Sequence, residues 1–118
     1  EYDRSYSEKE VIDIGYDEVH LGDNAPNGSQ LRPHIVFFGE AVPNINKAID
    51  IVSAADIMLI VGTSLNVYPA AGLYRYAPNG IPIYLIDPED VAIADPRITQ
   101  IHQVATKGME TFRRMLGQ

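Results

Sequence analysis

From residue 31 onward, short apolar runs alternate with segments of helical period, a pattern typical of parallel strand–helix–strand units. The predicted strands are residues 34–38 (HIVFF), 57–61 (IMLIV), 81–86 and 98–104. Residues 57–61 are apolar throughout, as in strands that helices cover on both faces, so we expect this strand to be central. The predicted fold class is α/β: part of a parallel, doubly wound sheet with helices on both faces.

The predicted helices lie between and after these strands. Pro43 suits a first helical turn, and the helix that follows ends near Ala55 and buries one stripe formed by Ile45, Ala48, Ile49 and Val52. Residues 69–76 are predicted to form a short helix before a turn at 78–80. A terminal helix at 108–116 uses Met109, Phe112, Met115 and Leu116.

Residues 1–30 differ in character and predict a small peripheral module, separate from the sheet domain at 31–118. Ser7 and Glu10 fit a capping box, which predicts a short helix that carries Val11, Ile12 and Ile14 and ends at Gly15. A turn-rich run follows at residues 22–29. Because the chain opens in a polar segment without Met, we expect further chain upstream.

Composition excludes several classes of partner. The 118 residues carry a net charge of −7 with no basic cluster, which argues against nucleic acid and anionic membranes as partners. Cysteine is absent, so neither a disulfide nor a thiolate metal site can form. No stretch approaches the roughly 20 apolar residues of a membrane span, and we expect a cytoplasmic protein.

In open parallel sheets, ligands bind beyond the carboxyl ends of the strands, here at loops 39–43, 62–69 and 87–90. Gly62, Thr63 and Ser64 directly follow a buried strand and present backbone N–H groups and two hydroxyls. This arrangement suits phosphate or ribose. A glycine turn with capping hydroxyls is the alternative, because the tripeptide lacks a dinucleotide fingerprint and a P-loop lysine.

Three stretches in order, namely LRPHIVFFGE at 31–40, VGTSLNVYPAAG at 61–72 and the strand ending at Asp87, resemble the second half of the sirtuin family. The similarity covers roughly residues 29 to 116. It implies an NAD-dependent protein-lysine deacylase with a Rossmann-like domain, and the zinc-free bacterial-type branch of the family. In that family, segments like 36–40 and 64–68 face each other across the cleft that holds the acylated peptide.

The resemblance implies two sets of binding residues. Val36 would accept a hydrogen bond from the acyl-lysine amide through its carbonyl, and Phe38 would wall the acyl tunnel, although the pair Phe37–Phe38 also suits ordinary core. The implied substrate-binding residues are Val36, Phe38, Gly39, Glu40, Leu65, Asn66 and Val67. The implied NAD-binding residues are Gly62, Thr63, Ser64, Asp87, Lys107, Gly108 and Met109. Asp87 stands where the family often has Asn, and a turn cap before Pro88 is its alternative role.

Two departures from the family qualify this expectation. Asn24 and Asn27 stand where sirtuins commonly have zinc-binding cysteines, so we expect no zinc and a module held by packing of Tyr16, Val19 and Leu21. The catalytic histidine of the family lies earlier than anything present here, and His20, His34 and His102 do not match it. The chain is therefore expected to carry half a site and no catalytic residue.

The implied reaction consumes NAD as co-substrate and releases nicotinamide and O-acyl-ADP-ribose, which is both transferase and hydrolase chemistry. This chain would contribute orientation of peptide, ribose and phosphates. The alternatives are a Rossmann fragment that binds a nucleotide or an acyl-peptide without turnover, and a structural piece that pairs through an exposed sheet edge. Such an edge favours self-association of the isolated chain.

Overall fold

A computed structural model describes residues 11–117, which divide into two units between Ala41 and Val42. The second unit holds a three-stranded parallel sheet in the order β1 (Met58–Val61), β2 (Ile83–Ile86), β3 (Ile98–Ile101). Its helices are α1 (Ile45–Ser53), a 3-10 helix (Ala70–Tyr76) and α2 (Ala105–Met115). The predicted α/β class is confirmed.

Alternate residues of the strands point to opposite faces, and each face has its own core. On one face Ile60, Ile83 and Leu85 are buried beneath Val52 of α1 and Tyr74 of the 3-10 helix. On the other face Ile86 and Ile101 pack against Phe112 of α2, whose ring meets Tyr84 edge-on at 5.0 Å between centroids. Helices therefore cover both faces, as the sequence predicted.

The middle strand of the described sheet is β2, not β1. Ile83, Leu85 and Ile86 are fully buried. In contrast, Ile57 and Val61 are 43% and 40% exposed at the sheet edge. The prediction that residues 57–61 form the central strand is wrong for this sheet, because an apolar run shows that a strand is covered on its faces and does not show how many strands pair with it.

Helix prediction in the second unit is confirmed, with shifted ends. In α1 the stripe of Ile45, Ala48, Ile49 and Val52 is half-buried while Asn46, Lys47 and Asp50 are exposed. Pro43 lies in the turn before this helix. The terminal helix begins at Ala105, three residues earlier than expected, and the last strand ends at Ile101.

The first unit is irregular. Residues 34–38 form no strand among the described residues and end in a turn at Phe38 and Gly39, so the predicted strand is wrong. Apolar residues form a strand only where a neighbouring strand pairs with their backbone, and composition alone does not show whether such a partner is present. Val11, Ile12 and Ile14 are likewise not helical. The capping box at Ser7 and Glu10 lies outside the described residues.

Candidate functional site

The loop after β1 begins with Gly62, whose backbone N–H is hydrogen-bonded within the sheet. The Gly62 N–H donates to the Ile86 carbonyl at 2.8 Å and extends the ladder by one bond. Gly62 has a φ of 63°, a region that favours glycine, and this conformation turns the chain out of the strand. The Gly62 N–H is therefore used by the fold, and the donors for a ligand must come from the residues that follow.

Thr63 shapes the rest of this loop. Its Oγ1 accepts a hydrogen bond from the Leu65 N–H at 3.2 Å, which closes a short turn and supports Leu65 at a φ of 55°. The capping role that the sequence left open is thus present. A hydroxyl that accepts in this way keeps its hydrogen for donation outward. Ser64 and Asn66 are exposed beside it.

The carboxyl ends of all three strands meet at this edge. Val61, Ile86 and Ile101 occupy one row of the parallel sheet, so the residues that follow them, Gly62, Asp87 and His102, come next to each other. The Asp87 N–H continues the ladder to the Ile101 carbonyl at 3.3 Å, and its Oδ1 accepts from the Glu89 N–H at 2.9 Å. Asp87 therefore caps a turn with one carboxylate oxygen while half-buried beside the Gly62 loop.

His102 was assigned no site role from the sequence, yet the register brings it to this edge. It is exposed. His102 lies there because β3 pairs with β2 in this register, and no motif in the sequence predicts that register.

Helix α2 starts close to the same edge, since only three residues separate β3 from Ala105. The first helical hydrogen bond runs from Gly108 N to Val104 O at 2.9 Å, so the N–H groups before it point out of the helix N-terminus, where anions are favoured. Lys107 and Met109 lie at the surface of the helix. Gly108 is buried, and a Cβ there would overlap the Ile86 side chain. Gly108 thus has a packing role that the sequence did not reveal.

The segment 36–40 carries the predicted peptide-binding groups in the first unit. Neither aromatic is core: Phe37 is 53% and Phe38 93% exposed. The Glu40 N–H donates to the Phe37 carbonyl at 3.1 Å, and Gly39 takes a φ of 87° within this turn. An exposed aromatic ring next to exposed backbone suits ligand contact.

Glu40, predicted to bind substrate, also braces this turn. Its Oε2 accepts from the Phe37 N–H at 3.0 Å, and both carboxylate oxygens accept from Arg32 Nη2 at 2.9 and 3.1 Å. The Arg32 guanidinium lies 5.0 Å from the centroid of the Phe37 ring. Arg32 was missed by sequence reasoning, because its partners lie eight and five residues away and share no simple motif.

The Gln30 side chain joins backbone groups across residues 20–31, in addition to backbone bonds such as that from the Leu31 N–H to the Asp23 carbonyl at 2.7 Å. Gln30 Oε1 accepts from the Gly22 N–H at 2.7 Å. Gln30 Nε2 donates to the carbonyls of His20, Asp23 and Leu31 at 2.9 to 3.0 Å. Tyr16 and Leu21 are almost wholly exposed, so the prediction that they pack the module is wrong. Hydrogen bonds from Gln30 and from the backbone hold this segment, in which Ala25 is buried.

The two asparagines that stand where zinc-binding cysteines were expected take part in the fold of this module. Asn24 pairs its backbone with Gln30, and the Asn27 carboxamide accepts from the Ser29 N–H at 2.9 Å. Amide oxygens are poor zinc ligands compared with thiolates. Within residues 11–117 there is no group of three or more His, Cys, Asp or Glu placed to hold a metal ion.

Comparison with known proteins shows the family to which this chain belongs. The model of the Sir2 family matches residues 4–69, more than half of the chain. The chain belongs to the Sir2 family. A relative named NAD-dependent protein deacylase from Bacteroides thetaiotaomicron is 52% identical over 100 residues, covering 84% of this chain and 43% of the relative. Another of that name from Aggregatibacter actinomycetemcomitans is 62% identical over 68 residues, covering 58% and 33%.

Solved Sir2 structures share the fold. A mutant Sir2 homologue in complex with ADP-ribose matches with a TM-score of 0.75 at 27% identity, covering 98% of this chain and 50% of that one. Sir2Tm bound to a propionylated peptide matches with a TM-score of 0.64 at 30% identity, covering 85% and 43%. The chain spans less than half the length of the two deacylase relatives. In the part that the structure describes, no helix is long and apolar enough to cross a membrane.

Proposed function

We propose that this Sir2 chain forms part of an NAD-dependent protein-lysine deacylase and supplies binding groups for NAD and for the acylated peptide. The proposal rests on the carboxyl ends of the strands, where Gly62 and Asp87 lie side by side and α2 begins. Hydroxyls, a carboxylate and a helix N-terminus at one edge suit the ribose and diphosphate of a dinucleotide.

On the NAD side, Thr63 and Ser64 would donate hydroxyl hydrogens to phosphate or ribose oxygens. Asp87 would accept from ribose hydroxyls with the carboxylate oxygen that does not cap Glu89. Gly62 would act by turning the chain, since its N–H is bonded to Ile86. Lys107 and Met109 would contact the adenine side, and Gly108 would allow α2 to approach the sheet.

On the peptide side, Val36 and Gly39 would offer backbone groups to an extended peptide, as in strand addition, and Phe38 would cover the apolar acyl side chain. Glu40 would hold this turn in place through Phe37 and Arg32. Leu65, Asn66 and Val67 would contact the peptide from the loop after β1. NAD supplies the leaving group, nicotinamide, and this chain supplies orientation.

No general base is proposed in this chain. His20 is exposed beside Glu18 and Asp23, at 3.4 and 3.6 Å, and His102 is exposed after β3. His20 lies in the first unit, and no hydrogen bond among residues 11–117 orients the exposed His102 imidazole, so neither is assigned the role of base. The isolated chain should therefore bind without turnover. A cytoplasmic location and self-association of the isolated chain through the edge strand β1 stay predictions.

Identification of the products tests the reaction class. The full-length protein that contains this chain is incubated with NAD and an acetyl-lysine peptide, and the mixture is analysed by mass spectrometry. The proposal requires free nicotinamide, deacetylated peptide and O-acetyl-ADP-ribose in equal amounts. NAD hydrolysis to ADP-ribose without deacetylation would contradict the proposal. Binding of NAD and peptide without any product would also contradict it and would favour a non-catalytic binding module.

We further propose that the protein needs no zinc, and that Gln30 cross-links the module instead. Gln30→Ala should speed hydrogen exchange of amides in residues 22–31, because the amide oxygen and the two amide hydrogens of Gln30 lose their backbone partners, at about 0.5–1.5 kcal/mol for each hydrogen bond. Gln103→Ala, which removes an exposed side chain with one bond to Thr111, is the matched control. Stoichiometric zinc in the purified protein, or unchanged exchange in Gln30→Ala, would contradict this proposal.

A further inference from the structure

An apolar groove lies between α1 and the 3-10 helix, entirely within the second unit. Its volume is about 420 Å³, in the range of ligand pockets. Ile45 and Ile49 line it from α1, and Tyr68 and Leu73 line it from the other side. None of the roles proposed for NAD or for the acyl-lysine uses these side chains.

The only charged side chain among the residues that line the groove is cationic. Arg75 lies at the groove with its Nε donating to the Tyr74 hydroxyl at 3.3 Å and its guanidinium 5.7 Å from the Tyr74 ring centroid. Within residues 11–117, no oxygen accepts a hydrogen bond from the two terminal nitrogens of Arg75. In a chain of net charge −7, this is a local attraction for an anion.

The groove is continuous with the loop proposed to bind peptide. Tyr68, which lines it, directly follows Val67 in the chain. An extended peptide that contacts Val67 advances about 3.3 Å per residue, so one of its neighbouring side chains can enter the groove beside Tyr68. The apolar walls suit an aliphatic or aromatic side chain, and Arg75 suits a carboxylate next to it.

We propose that this groove is a specificity subsite, in which the walls formed by Ile45, Ile49 and Leu73 hold an apolar side chain of the substrate and Arg75 pairs with an adjacent acidic one. The inference rests on the proposed deacylase function and adds a sequence preference to it. Arg75 acts on substrate choice and has no part in the bond-breaking step.

The test uses the full-length protein and acetyl-lysine peptides that carry Leu-Glu, Leu-Lys or Ser-Glu, with the pair moved one position at a time on either side of the lysine. At one position, Leu-Glu should exceed Leu-Lys by roughly two- to fivefold in kcat/KM, mainly through KM, as expected for a partly exposed ion pair. Ser-Glu should be weaker by a similar or larger factor, because the apolar contact is lost.

Charge reversal provides the decisive variant. Arg75→Glu should reverse the preference so that Leu-Lys exceeds Leu-Glu, with KM for NAD unchanged, which also shows that the variant is folded. Arg113→Glu makes the same charge change on the exposed face of α2 and should keep the wild-type preference. Arg75→Gln should abolish the preference without reversing it.

Two results would overturn the inference alone. One is deacetylation with equal kcat/KM for all three peptide pairs at every position. The other is an Arg75→Glu protein in which kcat/KM for the Leu-Glu and Leu-Lys peptides changes by the same factor, which would mean that Arg75 does not contact the peptide. If no peptide causes nicotinamide release, the result would contradict the proposed deacylase function, and therefore this inference as well.

Discussion

Arg97 joins parts of the second unit that are far apart in the sequence. Its Nη1 donates to the Ala77 carbonyl at 2.9 Å and its Nη2 to the Tyr74 carbonyl at 3.5 Å, so it fastens the end of the 3-10 helix. The same guanidinium bonds both oxygens of Asp95, at 2.7 and 3.0 Å. The loop before β3 is thereby tied to the helix that forms one wall of the groove.

This pair makes stability depend on pH at the acid end. Hydrogen bonds from Arg97 lower the pKa of Asp95 to about 2. A carboxyl with a depressed folded-state pKa stabilises the fold above its unfolded pKa of 3.8, and this stabilisation is lost as pH falls toward 2. The difference in unfolding free energy between wild type and Asp95→Asn should therefore shrink between pH 4 and pH 2 in denaturant titrations. A difference that stays constant across this window would contradict the assignment.

Gly108 offers a second test at the level of one residue. A Cβ at this position would overlap Ile86, which is fully buried in β2, so Gly108→Ala should lower the unfolding free energy by about 1–3 kcal/mol despite the better helix propensity of alanine. Gly72→Ala is the control, because a Cβ there meets only the Tyr68 ring at 3.5 Å, an ordinary contact. Equal thermal midpoints for both variants would show that α2 packs differently.

Among the elements, the loop between β1 and the 3-10 helix carries the central part of the proposed NAD site. Thr63→Val removes the hydroxyl that supports Leu65 and the hydrogen proposed for NAD. In the full-length protein, KM for NAD should rise roughly tenfold, as for loss of a hydrogen bond to a charged group. Thr99→Val, on the exposed side of β3, makes the same change and should leave KM at the wild-type value. A Thr63→Val protein with unchanged KM would remove this loop from the site.

The elements of the second unit could be predicted from the sequence because each has a local signal. The stripe in α1 recurs at helical spacing, and the runs in β1 and β2 are bounded by turn residues such as Gly80. Residues 34–38 show the limit of this reasoning. Their composition suits a strand, but pairing is decided by distant segments, and here they run into the turn at Gly39.

The site could be predicted in part for the same reason. Thr63, Ser64 and Asp87 follow strand ends, so their place at one edge could be expected from the α/β class alone. The positions of Arg32, Gln30 and Arg97 could not, because the Glu40 carboxylate and the backbone carbonyls that they bond are brought near by the way the chain folds and not by a recognisable motif. Close approach at Gly108 likewise depends on how α2 lies against Ile86.

At the scale of the whole molecule, we propose that ligand binding and base catalysis are divided between this chain and the rest of a Sir2 enzyme. In this proposal the chain binds NAD and peptide through its loops, and the general base lies outside it. Its 118 residues match less than half of each deacylase relative, which agrees with such a division.

The most direct test is nicotinamide release from NAD with an acetyl-lysine peptide, measured in parallel on this 118-residue chain and on the full-length protein. We expect release by the full-length protein and none above background by the chain alone. Release by the isolated chain at a comparable rate would contradict the division of the site. Release by neither would contradict the deacylase function.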